Sequence, residues 1–404
     1  MKHIYIFNSS ARGTIYGVGT YIKQLVDILK YTKYNVTIVN IIFKDIEFDV
    51  LKKGSVRYIS IPNPVINKND LSIEAFEKSI PFVLYPYIDK NEKNIFHLNY
   101  MGTKYIAEYL RLLVGGSIVL TVHYTDWSFS LLGNRKKISN ILKKEEKELD
   151  KRSQAILKNL TQERGVIDVC DKIVSISKHS FHDLIKIHKA DKNKIVLINN
   201  ALKDSHTANE EKKFAIRKKL RIDSDDIVLI FAGRLDPVKG VDILVNSFKS
   251  VIEKHSNTRL FIAGEGIFNN LLSASSPIWT RISFTGFLSK KDLLELYNIA
   301  EIGIIPSLHE EFGYVAIEMM SHEIPIIVND TTGLSEIIDD NINGLKVSIN
   351  SHKKIQEALV DKINYLIENP NERKRIGENA RDKYKTHYSL KLFKERMLAL
   401  YDSL

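Results

Sequence analysis

The sequence predicts an α/β protein built from two doubly wound, parallel-sheet domains, and three observations favour that class. The chain has 404 residues, which exceeds the usual length of one domain. Short apolar runs rich in β-branched residues recur along it, separated by helix-length segments, as in βαβ units. The series of runs stops at a polar, charged interval, 203–226, and then starts again. We therefore expect two successive sheets rather than one.

The strands follow from runs that are apolar almost without interruption, which is typical of strands buried on both faces of a parallel sheet. In the first series the predicted strands are 3–8, 36–42, 56–61, 95–100, 117–123, 172–177 and 194–201. In the second series they are 227–233, 259–264, 281–286, 302–307, 324–330 and 344–349. The pattern predicts an N-terminal domain at 1–202 and a C-terminal domain at 203–385, with room for a last helix, 386–404, to pack back on the first domain.

Three segments between or after the strands are predicted to be helical. The first is EEKKFAIRKKL at 210–220, inside the charged interval. The tail, 352–404, has helical periodicity and is broken at Asn369-Pro370, because a residue before proline avoids the helical region. The segment 135–164 is highly charged and predicts one long exposed helix with i,i+4 pairs such as Glu148 with Arg152. The alternative for 135–164 is a helix that faces an acceptor or a membrane.

Composition and charge narrow the function classes. The net charge is +10, spread along the chain without zinc-finger spacing or an aromatic-basic signature, so we expect no nucleic-acid partner. The same basic exterior suits peripheral contact with an anionic membrane. The single cysteine, Cys170, excludes an intramolecular disulfide and fits a reducing compartment. The opening MKHIYIFNSS has too short an apolar run for a signal peptide or a membrane span, so we expect a cytoplasmic protein, at most peripheral at the inner face of the membrane.

The motif FAGRLDPVKG, 231–240, follows the first strand of the second series. Ligands of doubly wound sheets bind at the carboxyl ends of the strands. Arg234 and Lys239 lie five apart across a turn that contains Pro237 and closes at Gly240, so both side chains can point at one anion. The alternative is a pair of solvated loop charges.

The motif HEEFGYVAIEMM, 309–320, places two glutamates eight residues apart around a predicted helix start near Phe312. Glu310 precedes that start, and the amides around Phe312, Gly313 and Tyr314 can donate to phosphate. Glu318 lies nearly two turns into an otherwise apolar helix and needs a donor partner, which a ribose diol supplies. Pairing with a neighbouring Lys or Arg is the alternative for Glu318.

Two further motifs follow strands of the first series. GTIYGVGTYIKQL contains Gly13, Gly17 and Gly19, which permit a tight loop close to a diphosphate before a helix begins near residue 18 or 19. It is not the G-x-G-x-x-G fingerprint, so nicotinamide binding is disfavoured. In TVHYTDW, His123 ends a buried strand, where a ligand contact and a structural histidine are both open interpretations.

These motifs together resemble the retaining glycosyltransferases of the GT-B fold, of the glycosyltransferase family 4 or glycosyl transferases group 1 type. The resemblance is carried by GRLDPVKGVDILVNSF, LFIAGEG, ISFTGFLSKKDLLELYNIAEIGIIPSLHEEFGYVAIEMMSHEIPIIVNDTTGLSEII and NGLKV, and more weakly by the glycine motif, TVH, IVSISKHS and INNAL. It implies two Rossmann-like domains that face a cleft, with the nucleotide sugar on the second and the acceptor on the first. The implied activity is transfer of a hexose-type sugar from a nucleoside-diphosphate sugar, such as a UDP-sugar, to a glycan, lipid-linked or protein-linked acceptor.

The resemblance also implies roles for the residues of the second domain. Arg234 and Lys239, with the neighbouring Gly233, bind the donor diphosphate, and Glu318 holds the ribose. Glu310 lies beside the donor sugar. The chain departs from the family pattern at Glu311, where the family has glycine, and this departure leaves the identity of the donor open.

Other implied contacts involve the backbone around Phe287, which holds the base, and His123, which contacts the sugar from the first domain. Gly17 and Gly19 approach the diphosphate. The family's Asn-Gly after the last strand of the first domain is Asn199-Asn200 here.

The implied chemistry needs no cofactor. Cleavage of the anomeric bond leaves a nucleoside diphosphate with new negative charge, which Arg234, Lys239 and helix amides stabilise in place of a metal. The sequence contains no convincing carboxylate cluster for a divalent ion, and DSDD at 223–226 predicts a turn before a strand. The alternatives are a sugar-nucleotide epimerase or hydrolase on the same fold, and a protein that binds a nucleotide sugar without transferring it.

Overall fold

The computed structural model describes residues 1–9, 17–42, 47–63, 70–206, 209–349 and 351–404. The described residues form two compact units. The first unit comprises Met1–Ala201 together with Leu390–Leu404, and the second comprises Leu202–Ser389.

The first unit is organised around an eight-stranded sheet. Its strands are β1 (Lys2–Ser9), β2 (Asn35–Ile42), β3 (Asp49–Lys53), β4 (Val56–Pro62), β5 (Lys93–Leu98), β6 (Ser117–Val122), β7 (Lys172–Ser175) and β8 (Ile195–Leu197). They lie in the order β3-β4-β2-β1-β5-β6-β7-β8. Neighbouring strands are parallel except at the edge, where β3 runs antiparallel to β4.

The predicted parallel sheet is confirmed, and the antiparallel edge strand β3 makes it a mixed sheet. The seven predicted strands of this unit are confirmed, but β3 was not predicted. Its sequence DVLKK ends in two lysines and is largely exposed, so it lacks the continuous apolar run of a buried strand. A two-residue turn at Gly54-Ser55, in which Gly54 has φ 62°, joins it to β4 as a hairpin.

The helices of the first unit include one that comes from the far end of the chain. They are α1 (Gly17–Leu29), α2 (Asp70–Leu84), α3 (Lys104–Leu113), α4 (Asp126–Ser130), α5 (Arg135–Ile141), α6 (Lys151–Val169), α7 (Lys178–Lys186) and, last in the chain, α16 (Leu390–Asp402). Helix α16 buries Phe393, Met397 and Tyr401 within this unit. The Lys2 ammonium donates to the carbonyl oxygens of Tyr401 (2.8 Å) and Asp402 (2.9 Å), which caps the end of the helix.

The prediction of one long exposed helix over 135–164 is wrong. Helix α5 ends at Ile141, Glu148 lies in a separate 3-10 turn, and α6 begins at Lys151 after the N-cap Asp150. Arg152 donates to the carbonyl oxygen of Ser130 at 2.6 Å. The helices α4, α5 and α6 turn apolar side chains inward around the buried Trp127, forming a small core of their own that charge content alone did not reveal.

The second unit contains a six-stranded sheet in which all strands are parallel. Its strands are β9 (Ile227–Ala232), β10 (Thr258–Ala263), β11 (Ile282–Gly286), β12 (Ile302–Ile305), β13 (Ile326–Asn329) and β14 (Leu345–Val347), in the order β11-β10-β9-β12-β13-β14. Its helices are α8 (Glu210–Lys219), α9 (Val241–Lys254), α10 (Asn269–Ser275), α11 (Lys290–Ile299), α12 (Tyr314–Ser321), α13 (Thr332–Ile337), α14 (His352–Glu368) and α15 (Pro370–His387). The six predicted strands, the helix at 210–220 and the break before Pro370 are confirmed.

Both sheets have a point where the strand order reverses. In the first unit the chain builds outward in opposite directions from β1 and β5, and in the second from β9 and β12. Loops that leave the carboxyl ends of such central strands diverge and open a crevice, which is where doubly wound folds bind ligands. In the described part of the chain, none of the helices is long and apolar enough to cross a membrane.

Candidate active site

In the second unit, the loops after the neighbouring strands β9 and β12 bring Lys239 and Glu310 into contact. Lys239 ends a 3-10 turn, Pro237–Lys239, and its ammonium donates to the carboxylate of Glu310. A backbone hydrogen bond joins the two loops, in which the amide of Leu308 donates to the carbonyl oxygen of Val238 at 2.7 Å. Both side chains of the pair are 18% exposed, so the pair is largely buried but still reaches the surface.

Gly240 is required for this approach. Its φ is 63°, and a Cβ atom there would lie 2.2 Å from the carbonyl oxygen of Pro306. A residue with a side chain would push the Lys239 turn away from the Glu310 loop. The turn predicted to close at Gly240 is thus confirmed, with a packing reason that the sequence did not show.

The backbone of Glu310 is fixed by residues that the sequence analysis left without a role. The Glu310 amide donates to the Thr332 hydroxyl at 3.1 Å, and the Gly333 amide donates to the Glu310 carbonyl oxygen at 2.8 Å. Ser307 adds a hydroxyl donor to the Glu310 carboxylate at 3.1 Å. The stretch NDTTGLSEII belonged to the family resemblance, and it is the signal from which Thr332 could have been identified.

Arg234 follows Gly233 on the same loop as Lys239, but it has a separate partner. Its guanidinium lies 3.2 Å from the carboxylate of Asp236 and is 38% exposed. Gly233 has φ 150°, and its carbonyl oxygen is approached so closely by Gly264 that a Cβ on Gly264 would lie 1.7 Å from it. Each predicted cation is therefore paired with its own carboxylate.

Helix α12 starts where the sequence analysis placed amide donors. Gly313 is its N-cap, with φ 110°, and a Cβ there would meet the side chain of Leu334 at 2.8 Å. The amides of Ala316 and Ile317 both donate to the Gly313 carbonyl oxygen, so those of Tyr314 and Val315 precede the first intrahelical bond. Phe312 is 4% exposed and packs edge-on against Tyr314, so it offers its backbone rather than its side chain.

Glu318 has protein partners in this structure. Lys290 donates to one carboxylate oxygen at 2.6 Å, and the hydroxyl of Tyr297 donates to the other at 3.1 Å. Burial, and then the charge of Glu318, raise the pKa of Tyr297 well above its usual value, so its proton stays in place as a donor. The alternative of a neighbouring Lys describes the contact seen here, and the ribose contact of Glu318 stays a prediction. The side chain of Lys290 is 56% exposed, so its ammonium can leave Glu318 and be solvated by water.

Two further residues predicted near the donor take clear positions. The side chain of Glu311 is 14% exposed and lies 3.2 Å from Nε2 of the buried His309, so it does not point to solvent. Phe287 follows β11 directly and is 57% exposed, which leaves its backbone groups accessible at that end of the sheet.

In the first unit, His123 lies in a pocket of about 180 Å³ at the carboxyl ends of the central strands. The pocket is lined by Ser9, Val18, Asn99, Tyr100, Met101, Gly102, Thr121, His123, Tyr124, Asp126 and Glu163. Most of these residues are polar yet neutral. Glu163 is already engaged, since its two oxygens accept from the amide of Asp126 and contact His188, each at 2.8 Å.

His123 is held as a neutral ring. Burial lowers the pKa of its imidazole to about 3. The Asn99 side-chain amide donates to the carbonyl oxygens of Phe7 (3.1 Å) and His97 (3.3 Å), so its oxygen faces Nε2 of His123 at 3.2 Å and accepts a hydrogen bond from the N–H there. Nδ1 is left as the acceptor nitrogen, which suits a hydroxyl group of a ligand. His123 is buried as a structural histidine would be, and it also lines the pocket.

The predicted glycine loop is corrected by the position of α1. Gly17 and Gly19 lie in the first turn of this helix, which begins at Gly17, one residue before the predicted start. The two glycines therefore cannot form the loop that precedes the helix. Gly13 lies outside the described residues.

Within the part of the chain that the structure describes, no cluster of three or more His, Cys, Asp or Glu side chains has the geometry to hold a metal ion. The DSDD segment forms the predicted turn, and its last carboxylate, Asp226, is paired with Arg259 and with Arg281 at 2.9 Å.

Comparison with known proteins agrees with this picture of the fold. Residues 212–383 match the family model described as glycosyl transferases group 1. An uncharacterized glycosyltransferase of Methanocaldococcus jannaschii is 30% identical over 183 residues, which cover 44% of this chain and 46% of that protein. The chain spans about half the length of the curated relatives that it matches.

Solved structures extend the likeness of the fold to the whole chain. Sucrose-phosphate synthase from Thermosynechococcus elongatus superposes with a TM-score of 0.78 at 19% identity, covering 100% of this chain and 99% of that one. HepE from Anabaena, solved in complex with UDP-glucose, superposes with a TM-score of 0.72 at 15% identity and covers 100% of both chains.

The two α/β units thus have the GT-B fold of glycosyltransferases, as the sequence predicted. Residues 212–383 of the second unit, here called the group 1 domain, match the glycosyl transferases group 1 model, and Lys239, Glu310 and Glu318 all lie inside the matched region.

Proposed function

We propose that this chain is a retaining glycosyltransferase that moves a hexose-type sugar from a nucleoside-diphosphate sugar to a glycan, lipid-linked or protein-linked acceptor. The observation that carries the proposal is the cluster at the β9–β12 crevice. There Lys239, Glu310 and the start of α12 lie together inside the group 1 domain. A diphosphate needs cations and amide donors, and a sugar needs a carboxylate acceptor, and this cluster offers all three.

The ion pairs of the site support a charged ligand. Lys239 and Arg234 form ion pairs with Glu310 and Asp236. A diphosphate would take over both cations, and Glu310 would then be released to accept from hydroxyl groups of the sugar. The exchange gives Lys239, Arg234 and Glu310 new partners on the ligand, so none of these three charges is left alone.

The proposed reaction depends on stabilising the leaving group. As the bond from the anomeric carbon to the diphosphate breaks, negative charge grows on the phosphate oxygens, where Lys239, Arg234 and the α12 amides act. The acceptor hydroxyl attacks the same face of the sugar, and its proton passes to the departing phosphate. This chain then needs neither a nucleophile of its own nor a metal.

A donor screen followed by product analysis tests the proposal. Thermal shift with UDP-, GDP- and ADP-sugars identifies the donor, and mass spectrometry with proton NMR identifies the product and its anomeric configuration. A product that keeps the donor's configuration supports the proposal. An inverted product contradicts retention, an altered free nucleotide sugar would favour the epimerase, and release of free sugar without any acceptor would favour the hydrolase. Nucleotide binding without any product would favour a binding protein.

We also propose that an anionic membrane is a peripheral partner of the first unit. Around α5, three large apolar side chains are exposed: Phe129 (44%), Leu132 (42%) and Leu142 (36%). Exposed lysines accompany them at positions 136, 137, 143 and 144. Apolar side chains that insert between headgroups, with lysines that pair with phosphates, bind anionic bilayers.

Vesicle sedimentation tests this surface. The wild type should bind vesicles that contain phosphatidylglycerol but not pure phosphatidylcholine, and Lys136→Glu with Lys143→Glu should weaken binding at least about tenfold. Lys212→Glu with Lys218→Glu, on the exposed side of α8, is the matched control and should bind as the wild type does. Equal loss in both double variants would show that net charge, and not this surface, is responsible.

A further inference from the structure

A buried hydrogen-bond circuit connects the last helix of the chain to the His123 pocket. The Tyr401 hydroxyl on α16 lies 2.5 Å from Nδ1 of His97, and Nε2 of His97 lies 2.7 Å from the Thr121 hydroxyl. The Thr121 hydroxyl lies 2.9 Å from that of Tyr21 on α1, and the Tyr21 hydroxyl lies 4.0 Å from the sulfur of Met397. The circuit thus begins and ends on α16, and all five side chains are fully buried.

The protons of the circuit have one consistent order. Burial, assisted by the nearby His123, lowers the pKa of His97 to about 3, so its ring is neutral and carries a single N–H. If Tyr401 donates to Nδ1, then Nε2 donates to Thr121, Thr121 donates to Tyr21, and Tyr21 donates to the Met397 sulfur. The reverse order leaves the Tyr401 hydroxyl proton without an acceptor among the contacts of the described residues.

Tyr21 is the member of the circuit whose ring contacts His123. The ring of Tyr21 meets the His123 ring edge-to-face, with centroids 4.7 Å apart, and its other contacts include Phe393 of α16 at 5.5 Å. An apolar set of side chains could fill the same space without the cost of burying four polar groups. A fully satisfied polar network instead specifies one geometry, because any shift leaves a buried donor or acceptor unpaired.

We propose that Tyr401 and Met397 of α16 are positioning residues for His123, acting through Tyr21. Helix α16 then helps to set the geometry of the pocket, in addition to packing against the rest of the first unit. The link to turnover rests on the proposed glycosyltransferase activity, whereas the link to the geometry of His123 does not.

The test compares two tyrosines that anchor the same helix. Tyr401→Phe removes one hydroxyl from the circuit and keeps the ring. Tyr34→Phe is the matched control, because the Tyr34 hydroxyl also bonds to α16, at Asp402 (2.6 Å), but lies outside the circuit. Both variants lose one hydrogen bond to the helix, so a purely structural role would affect them alike.

The decisive readout is the NMR spectrum of protein labelled with ¹⁵N-histidine, with the His123 signal assigned by a His123→Gln variant. We expect the His123 ring signals to shift or split in Tyr401→Phe and to stay unchanged in Tyr34→Phe. Turnover at saturating donor should fall about tenfold in Tyr401→Phe alone, with affinity for the free nucleoside diphosphate unchanged. Met397→Leu breaks the circuit at its other end and should give the same signature, which decides the matter if Tyr401→Phe does not fold.

Identical His123 signals in wild type, Tyr401→Phe and Met397→Leu would overturn the proposal. So would equal shifts in Tyr401→Phe and Tyr34→Phe. If no sugar transfer is detected in any of the proteins, the proposed function fails, and the NMR comparison still decides whether α16 positions His123.

Discussion

The two units have their candidate sites at the same point of similar sheets, but the side chains that line the two sites differ in charge. At the β9–β12 crevice of the second unit, ionised side chains are arranged as pairs, such as Lys239 with Glu310 and Lys290 with Glu318. In the first unit, the pocket beside β1 and β5 is lined mostly by uncharged polar groups, among them His123, which burial keeps neutral, while the carboxylate of Glu163 is engaged by the Asp126 amide and His188. We propose that the charged pairs of the second unit bind the anionic diphosphate and that the pocket of the first unit binds a neutral, hydroxyl-rich group.

The largest expected effect comes from removing the cations of the second unit. Lys239→Ala and Arg234→Ala should each lower transfer at least about a hundredfold, because each removes a charge that stabilises the leaving diphosphate. Steady-state kinetics with the identified donor measures the loss. Lys254→Ala is the control, since Lys254 also pairs with a glutamate, Glu368, but on the surface away from the site. Near-normal turnover in Lys239→Ala would contradict the assignment.

A smaller effect should separate the two glutamates. Glu318→Gln should weaken donor affinity by about 10- to 100-fold with little change in turnover at saturation, because the ribose changes little during the reaction. Glu310→Gln should mainly lower turnover by a similar factor, since Glu310 faces the transferred sugar. Calorimetry alongside kinetics distinguishes the two, and the reverse assignment of effects would reverse the orientation of the nucleotide sugar.

The pH dependence of the free energy of unfolding tests whether burial keeps Glu77, in the first unit, neutral. Burial, assisted by Glu74, raises the pKa of Glu77 on α2 to about 7, so the folded protein favours its protonated form. Its contribution to stability is fully present below the unfolded pKa near 4.5 and is lost as pH rises through about 7. Glu77→Gln should therefore leave the free energy of unfolding unchanged at pH 4.5 and raise it by on the order of 3 kcal/mol at pH 8.

Urea unfolding of the wild type and the variant at the two pH values measures this difference. Glu108→Gln, an exposed carboxylate on α3 that pairs with Lys104 at 3.7 Å, is the control. A gain for Glu77→Gln that is equal at both pH values would mean that Glu77 does not titrate in this range.

The last prediction concerns the removal of metal ions, for which we expect no effect on transfer. If the cations of the second unit replace a metal, an excess of chelator should leave the transfer rate unchanged. An activity lost to chelator and restored by Mg²⁺ or Mn²⁺ would mean that the charge on the diphosphate is neutralised in another way.

The sequence predicted the sheets well because parallel strands buried on both faces leave a continuous apolar signal, as in IVLIFA of β9. It missed β3, whose residues are exposed, and it joined α5 to α6, since charge density does not show where a chain turns around Trp127. Lys239 and Glu310 are 71 residues apart in the chain and meet because β9 and β12 lie side by side, which spacing alone does not show. For the same reason, the sequence did not show that the lysine beside Glu318 is Lys290. It also did not show the circuit from Tyr401 to Tyr21.

Titration calorimetry with free nucleoside diphosphates tests the division between the units most directly. UDP, GDP and ADP are titrated in turn into the wild type, Lys239→Ala and His123→Ala. We predict that the preferred nucleotide binds at least about tenfold more weakly to Lys239→Ala and within about twofold of wild type to His123→Ala. Binding that survives in Lys239→Ala but is lost in His123→Ala would contradict the assignment of the diphosphate to the second unit, because the first unit would then hold the anion.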